Sequence, residues 1–251
     1  MDPRDAKLLP TSSVLDIIEN ALAKRRAFSF VRCGDGTNIC MAQGLVPINK
    51  LLTEPWAVAA RASKDKGVPF PSLELRDRLL DAIRRADLVG IHRWDDRRIM
   101  APPRLKRALL DRVLAHHRII PKRVCDAVLT RDLPLEPRFW AILRKHRVVL
   151  VSRWAAALRP ILTRPPYSLA QVSDLSFDGY AAIANVTAEI TRRAQGGKAD
   201  VLLVSAGMSA PIIAVAAAPA PCTAIDFGKA MQFMVEGKTG LHVKKKQGVI
   251  K

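Results

Sequence analysis

The sequence predicts an α/β fold in which a mainly parallel sheet carries helices on both faces. Two observations support this prediction. Short, continuous apolar runs alternate along the chain with segments of helical periodicity, which is typical of parallel strands buried on both sides. Hydrophobic residues make up 49% of the 251 residues but aromatic residues only 5%. This aliphatic composition favours helices packed on a sheet over an aromatic-rich β-sandwich.

The strands are predicted where apolar runs end in turn or polar residues. They span residues 28–31, 86–91, 122–127, 147–152, 168–172, 199–205 and 222–228.

The helices are predicted from apolar spacing of three and four residues and from capping residues. The first spans residues 14–22, with Ser12 or Ser13 as its N-cap, and Ser72 opens another over residues 73–85. A helix through residues 39–43 would be capped by Thr37 or Asn38. The remaining helices span residues 56–60 (ending near 66–67), 105–115, 139–145, 154–162, 180–194 and 210–218.

We find no convincing linker or internal repeat, so residues 1–240 are expected to form one domain. Residues 241–251 form a basic, flexible tail that contains Lys244, Lys245 and Lys246. The formal net charge of +18 and the pI of about 10.4 indicate attraction to polyanions. Arginines are nevertheless scattered along the helices, which favours solvated helix faces over a nucleic-acid surface. Nucleic acid therefore stays a possible partner, but the less favoured one.

Cysteine usage and the absence of a targeting pattern point to the cytoplasm. The four cysteines form neither a CxxC pair nor zinc-finger spacing, so buried free thiols in a reducing compartment are expected. The N-terminus lacks the apolar core of a signal peptide. Prolines interrupt the most apolar stretch, residues 201–225, so no transmembrane segment is expected.

The turn after the first buried strand is the most informative motif. Gly34 and Gly36 bracket Asp35, and Arg32 precedes them. Glycines allow close approach of a ligand, while the carboxylate, the guanidinium and the free N–H groups of the next helix suit a phosphate or a phosphate-bound metal. The same residues are also compatible with a plain strand-to-helix turn in which Asp35 acts as a cap.

Other polar residues follow further strands, at the edge where open parallel sheets bind ligands. They are Asp95 and Asp96, Ser152 and Arg153, Ser205 and Gly207, and Asp226 with Lys229. Asp95 and Asp96 can equally be a pair of loop acids that cap a turn. The sequence contains no GxxxxGK[ST], GxGxxG or GxSxG motif, which argues against P-loop, standard dinucleotide-binding and serine-hydrolase sites.

The order of six short motifs resembles the GT-D-fold glycosyltransferases of spore-forming Gram-positive bacteria, over about residues 14–241. The motifs are Gly34-Asp35-Gly36, residues 73–77 with 86–91, residues 101–107, Arg153-Trp154 after an apolar strand, residues 204–207 and residues 225–229. The resemblance implies a Rossmann-like core and transfer of a sugar from a nucleotide-sugar donor to a glycan or protein-linked acceptor.

In that family a DxE motif in the first turn is associated with a divalent metal, Mn²⁺ or Mg²⁺. Here the aspartate is Asp35, and Thr37 replaces the glutamate. The resemblance implies that Asp35 binds the metal. From their places in the turn and after the strands, we expect the nucleotide sugar to contact Arg32, Gly34, Asp35, Gly36, Thr37, Arg153, Ser205, Gly207 and Lys229. Asp226, Asp95 or Asp96 is the expected base for the acceptor hydroxyl.

A second interpretation from another class of protein stays open. Because Thr37 leaves only one carboxylate in the motif and the chain is strongly basic, the protein could be a non-catalytic nucleotide-sugar or polyanion (nucleic-acid) binding protein. A nucleic-acid binder would lose affinity steeply with salt, whereas a transferase would select one sugar nucleotide.

Overall fold

The computed structural model describes residues 5–62, 68–217 and 220–241. The strands are β1 (Leu8–Leu9), β2 (Phe28–Arg32), β3 (Leu88–Ile91), β4 (Val124–Asp126), β5 (Val148–Val151), β6 (Val172–Leu175), β7 (Val201–Val204) and β8 (Thr223–Asp226). The helices are α1 (Thr11–Ala23), α2 (Asp35–Met41), α3 (Ile48–Leu52), α4 (Pro55–Ala62), α5 (Leu73–Arg85), α6 (Arg107–His116), α7 (Leu129–Asp132), α8 (Pro137–Leu143), α9 (Ala155–Leu162), α10 (Ile183–Gln195), α11 (Ala210–Ala217) and α12 (Ala230–Val235). Short 3₁₀ turns occupy Pro103–Leu105, Leu133–Leu135, Tyr180–Ala182 and Gly207–Ser209.

The eight strands form one sheet in the order β1-β4-β3-β2-β8-β7-β5-β6, and every pairing is parallel. Strands β3, β5, β7 and β8 are buried along their whole length. Their unbroken apolar runs therefore reflect burial on both faces. This arrangement confirms the predicted α/β fold with a parallel sheet.

Helices cover both faces of the sheet and enclose two apolar layers. Helices α2, α5, α6, α10 and α11 pack on one face, and α1, α8, α9 and α12 pack on the other. The second layer holds the largest buried aromatic side chains, where Trp140 contacts Tyr167 edge-on and Phe139 stacks on Phe227. This aromatic group anchors α8 against the segment that follows β8.

Three local predictions are wrong. Helix α1 begins at Thr11 with Pro10 at its N-cap, so neither Ser12 nor Ser13 caps it. The strand expected over residues 168–172 lies at Val172–Leu175, because that stretch is the one that pairs with β5. Helix α2 begins at Asp35 after Gly34, so neither Thr37 nor Asn38 is its cap.

Several short elements, namely β1, α3, α7 and α12, have no counterpart in the sequence prediction. They span only two to six residues. Strand β1 exists because it pairs with β4, a contact between segments more than a hundred residues apart. Elements this short carry too few residues for a periodic pattern.

The predicted cap of α5 is confirmed. The Ser72 hydroxyl accepts a hydrogen bond from the Leu75 N–H at 3.2 Å. The Gln43 side chain holds the same residue, because its amide donates to the Ser72 carbonyl and its carbonyl accepts from the Ser72 N–H. This contact ties α5 to the residues that follow α2.

The four cysteines are free and buried, as predicted. Within the described ranges, the helices are too short or too polar for any of them to cross a bilayer. The predicted tail lies almost entirely outside the described residues, which end at 241. The division into a domain and a tail therefore stays a prediction.

Replacing the capping serine tests the assignment of the cap. Ser72→Ala is expected to lower the free energy of unfolding by about 1 kcal/mol, because the Leu75 N–H loses its acceptor. Ser12→Ala is the matched control and should change stability by no more than a few tenths of a kcal/mol, since Ser12 lies inside α1 and caps nothing. Urea denaturation measures both, and equal effects would contradict the assigned caps.

Candidate functional site at the carboxyl edge of the sheet

The residues predicted to form the site all lie at one edge of the sheet. Because every strand pairing is parallel, the carboxyl ends of the strands meet there. Arg32 and Asp226 are the last residues of neighbouring strands β2 and β8. The other predicted residues follow β2, β3, β5, β7 or β8; they are Gly34, Asp35, Gly36, Thr37, Asp95, Asp96, Arg153, Ser205, Gly207 and Lys229.

A crevice is expected at this edge between β5 and β7. Helix α9 leads from β5 outward to β6, whereas α11 leads from β7 back to β8, and the two helices lie on opposite faces. Diverging connections of this kind mark the point where open α/β sheets bind ligands. The Ser152 hydroxyl donates to the Ser205 carbonyl at 2.9 Å across this point. The Ser205 hydroxyl is itself buried without a partner among the described residues.

Asp226 joins the two central strands. Its Oδ2 accepts the Arg32 N–H at 3.2 Å and its Oδ1 accepts the Gly228 N–H at 3.0 Å. The residue is only 3% exposed. Burial raises the pKa of Asp226 to about 6, although the charge of Arg32 and the two backbone hydrogen bonds oppose that rise.

Glycines surround the side chain of Arg32. A Cβ added to Gly34 would lie 3.4 Å from an Arg32 terminal nitrogen, and one added to Gly228 would lie 3.1 Å from Nε. Gly228 also has a φ of +54°, which disfavours other residues. At Gly90, an added Cβ would meet the Ala127 backbone and the Arg32 stem. Gly34 and Gly228 therefore leave room for the guanidinium.

Arg131 is a second guanidinium at this edge, and the sequence analysis missed it. It lies in α7 after β4, and its guanidinium is stacked over the Phe233 ring at 5.6 Å. Burial, and then the charge of Arg32, lower the pKa of Arg131, so the two cations are close enough to repel each other. The Nε atoms of Arg32 and Arg131 are both buried without a hydrogen-bond partner in the part of the chain that the structure describes. A buried N–H without an acceptor in the protein is available to donate to a bound ligand.

Asp35 is the half-buried first residue of α2. Its carboxylate has no hydrogen bond or ion pair with any described residue. Gly36 packs directly against Trp56, where an added Cβ would overlap the indole ring. Thr37 is 6% exposed. Since α2 has only seven residues, we attribute no anion site to its N-terminus and regard the two guanidinium groups as the main source of positive charge.

The loop after β3 contains a buried polar cluster, and Asp96 belongs to it. Lys106 donates to the Asp96 carboxylate at 2.8 Å and to its carbonyl at 2.9 Å. Burial raises the pKa of Asp96, but the Lys106 hydrogen bond and the Arg98 N–H outweigh this and lower it overall. His92 is fully buried beside this pair, and burial with the Arg32 charge lowers its pKa to about 4, so it is neutral. Asn38 connects the cluster to α2 by donating to the carbonyls of Leu105 and Lys106.

The remaining predicted residues lie nearer to solvent. Asp95 is exposed, and its carboxylate accepts hydrogen bonds from Arg93 at 2.9 and 3.3 Å. Arg153 and Lys229 are exposed beyond β5 and β8. Gly207 has a φ of +57° and open space where a Cβ would stand. These residues could contact a ligand without a change in the packing of the sheet.

A metal at this edge would have few ligands from the protein itself. Within residues 5–62, 68–217 and 220–241, no three histidine, cysteine, aspartate or glutamate residues are grouped to hold an ion. Asp35 is nevertheless free to bind one. Mg²⁺ is commonly held by one or two carboxylates together with substrate phosphates. The residues present therefore fit an ion that arrives with a phosphorylated ligand.

Comparison with known proteins identifies the family to which this fold belongs. The family model described as "GT-D fold-like domain" matches residues 9–234, which is most of the chain.

The chain belongs to the GT-D fold-like family.

Two solved structures have the same fold as this GT-D-like chain. One is described as "A New Glycosyltransferase (DUF1792) from Streptococcus sanguinis", with 15% identity, a TM-score of 0.57, and coverage of 94% of this chain and 86% of that one. Another is described as "The highly conserved domain of unknown function 1792 has a distinct glycosyltransferase fold", with 16% identity, a TM-score of 0.54, and coverage of 94% and 84%. No curated protein matches the sequence.

The buried carboxyl of Asp226 predicts a specific pH dependence of stability. Its folded pKa of about 6 lies above the ordinary value of 3.8, so its contribution is fully present below pH 3.8 and is lost as the pH rises through 6. Between pH 4.5 and 7.5 the loss amounts to about 2 kcal/mol. Asp226→Asn cannot titrate, so the stability of the wild type relative to this variant should fall over that range. Chemical denaturation at several pH values measures it, and a constant difference would contradict the buried ionisation.

Proposed function

We propose that this protein is a glycosyltransferase that binds a nucleotide-sugar donor at the carboxyl edge of the sheet and transfers the sugar to a glycan or protein-linked acceptor. Membership in the GT-D fold-like family and the similarity to the Streptococcus sanguinis structure, which is described as a glycosyltransferase, support the proposal. The observation that carries it is the pair of guanidinium groups of Arg32 and Arg131, two half-buried residues. Both have a buried Nε without a hydrogen-bond partner among the described residues, and the charge of Asp35 acts on Arg131.

The two arginines would bind the diphosphate of the donor. Guanidinium groups match phosphate oxygens with paired, charge-assisted hydrogen bonds. They would also stabilise the charge that develops on the leaving diphosphate as the glycosidic bond breaks, and a preorganised site makes that stabilisation strong. The Gly34 and Gly228 positions leave the guanidinium of Arg32 accessible to a phosphate. We propose that Gly36, Thr37, Ser205, Gly207, Arg153 and Lys229 contact the rest of the donor.

The metal is proposed to be held jointly by the protein and the donor. Asp35 would supply the single protein carboxylate, and phosphate oxygens would supply further ligands. A bound Mn²⁺ or Mg²⁺ would help to neutralise the diphosphate. Arg32 and Arg131 supply positive charge at the same edge, so binding of the diphosphate does not depend on the ion alone.

The contacts of the three predicted bases differ. Both oxygens of Asp226 accept backbone N–H groups, so we propose that it positions Arg32 rather than contacting the acceptor. Asp96 is bonded to Lys106, and Asp95 has its pKa lowered by hydrogen bonding to Arg93; both features weaken a base.

We propose Asp126 instead as the base for the acceptor hydroxyl. It ends β4 at the same edge, its pKa is raised by burial, and its Oδ1 accepts the Val128 N–H.

The narrower predictions stay open. They are the likeness to members from spore-forming bacteria, a cytoplasmic location, and the alternative of a non-catalytic nucleotide-sugar or nucleic-acid binder. Selective stabilisation by one nucleotide sugar, followed by detection of sugar transfer, separates the transferase from both alternatives. Binding of nucleic acid that falls steeply with salt, without selectivity among nucleotide sugars, would favour the polyanion binder.

Substituting the two arginines tests the donor site. Arg32→Ala and Arg131→Ala should each weaken binding of the selected nucleotide sugar about tenfold to a hundredfold, because each removes a charge-assisted hydrogen bond worth about 1.5–3 kcal/mol. Arg85→Ala is the control, because Arg85 lies at the end of α5 and pairs with Asp81 on the surface. Calorimetric titration of the folded variants measures the affinity. Unchanged affinity in both variants would place the donor elsewhere.

Metal binding is expected to depend on the nucleotide. Manganese alone should bind weakly, because Asp35 is the only carboxylate at the turn. The nucleoside diphosphate that stabilises the protein most is then added. The mixture of protein and nucleotide should bind more manganese than the same concentration of nucleotide binds without protein. The signal of free Mn²⁺ in electron paramagnetic resonance reports this. Asp35→Asn should abolish the excess and Asp81→Asn should not. Tight binding of manganese without nucleotide would refute a jointly held ion.

A further inference from the structure

Two adjoining cavities lie at the amino edge of the sheet, opposite the proposed donor site. The larger has a volume of about 240 Å³ and the smaller about 140 Å³. Both are lined by Ala21 and Arg26, so they are neighbours, and neither is lined by a residue of the carboxyl edge. The donor site proposed at the carboxyl edge therefore does not include these two cavities.

The larger cavity is lined by cations that have no carboxylate partner. Arg25 and Arg26 follow α1, and Lys145 follows α8. None of the three forms an ion pair with a described residue. The one carboxylate in the lining, Asp200, is bound by Arg147 in a bidentate pair at 2.6 and 2.8 Å. The cavity therefore keeps an excess of positive charge.

The helix ends account for only part of this charge. Helices α1 and α8 both end at the amino edge, and each carboxyl end carries a partial charge of roughly −0.5. Cations at helix ends are common for this reason. Three unpaired cations around one cavity exceed what two such partial charges would balance.

A buried hydroxyl in the cavity wall is an independent indication of a ligand. Thr223, the first residue of β8, lines the larger cavity and is 0% exposed. Its Oγ1 has no hydrogen-bond partner in the described part of the chain. A buried hydroxyl without a partner costs about 1–3 kcal/mol, so a ligand that bonds to it would recover that energy.

We propose that this cavity binds a small ligand through a phosphate group. Arg25, Arg26 and Lys145 would supply the charge, and Thr223 a neutral hydrogen bond. Arg147 stays bound to Asp200, which limits the number of free cations and favours a compact anion over a long polyanion. The site is separate from the donor site, since the two lie at opposite edges of the sheet.

His146 lies in the lining and reports on the cavity directly. Burial lowers its pKa, Asp200 raises it, and Lys145 and Arg147 lower it further. Inorganic phosphate bound in the cavity would stabilise the imidazolium and raise the pKa of His146. Nuclear magnetic resonance of the histidine rings during a pH titration measures this shift at one residue, which phosphate binding at the carboxyl edge would not produce.

The test compares two double variants with the same loss of charge. Arg25→Gln with Arg26→Gln should weaken phosphate binding at least tenfold and abolish the shift of His146. Arg112→Gln with Arg118→Gln is the matched control. Arg118 follows α6 with a φ of +51°, as Arg25 follows α1 with a φ of +47°, and neither control residue lines either cavity. The control should bind phosphate like the wild type.

Thr223→Val provides a second readout that does not alter charge. It should raise the melting temperature of the free protein, because an unpaired hydroxyl is removed, and should weaken phosphate binding. Non-saturable binding in the wild type, equal losses in the two double variants, or a His146 pKa that phosphate leaves unchanged would each overturn the proposal. Loss of nucleotide-sugar binding in Arg32→Ala would leave it untouched.

Discussion

The hydrogen bond from the Arg32 N–H to the Asp226 carboxylate is the contact on which the proposed site depends. It joins the last residues of β2 and β8, two strands that are neighbours in the sheet but lie 194 residues apart in the chain. The same carboxylate fixes the turn at Gly228. That turn leaves room for the Arg32 guanidinium. A buried ionisable group lowers the stability of the fold unless it is hydrogen-bonded. Here the hydrogen bonds of Asp226 fix the backbone at Arg32 and Gly228, and so hold a cation at the edge where ligands bind.

The parallel sheet divides the polar residues between two edges with different properties. At the carboxyl edge, the proposed donor site combines two guanidinium groups with the carboxylate of Asp35. At the amino edge, basic residues that follow helices surround two cavities. The high net charge of the chain is thus partly concentrated where helices end, and it need not indicate a surface for nucleic acid. The two proposed sites can fail or succeed independently.

Most of the fold could be predicted from the sequence because long apolar runs and helical periodicity are local signals. Residues 199–205 and 73–85 illustrate both patterns, as β7 and α5 show. The site could be predicted only in part. Arg32 and Asp226 end strands and Asp35 follows one, so the rule that open parallel sheets bind ligands at the carboxyl ends of their strands identifies all three. Arg131 lies in a four-residue helix and approaches Arg32 only through the order β4-β3-β2. The hydrogen bonds from backbone N–H groups to Asp226 could not be predicted either, because a sequence does not show which carboxylates accept hydrogen bonds from the main chain.

Hydrogen exchange with and without the selected nucleotide sugar tests the central claim most directly, because it locates the donor on the chain without altering a residue. The account predicts protection of backbone amides in residues 32–37, 205–209 and 226–230. It also predicts no change in residues 24–27 and 145–147 at the opposite edge. Protection confined to the amino edge, or bound donor with unchanged exchange at all three carboxyl-edge segments, would contradict it.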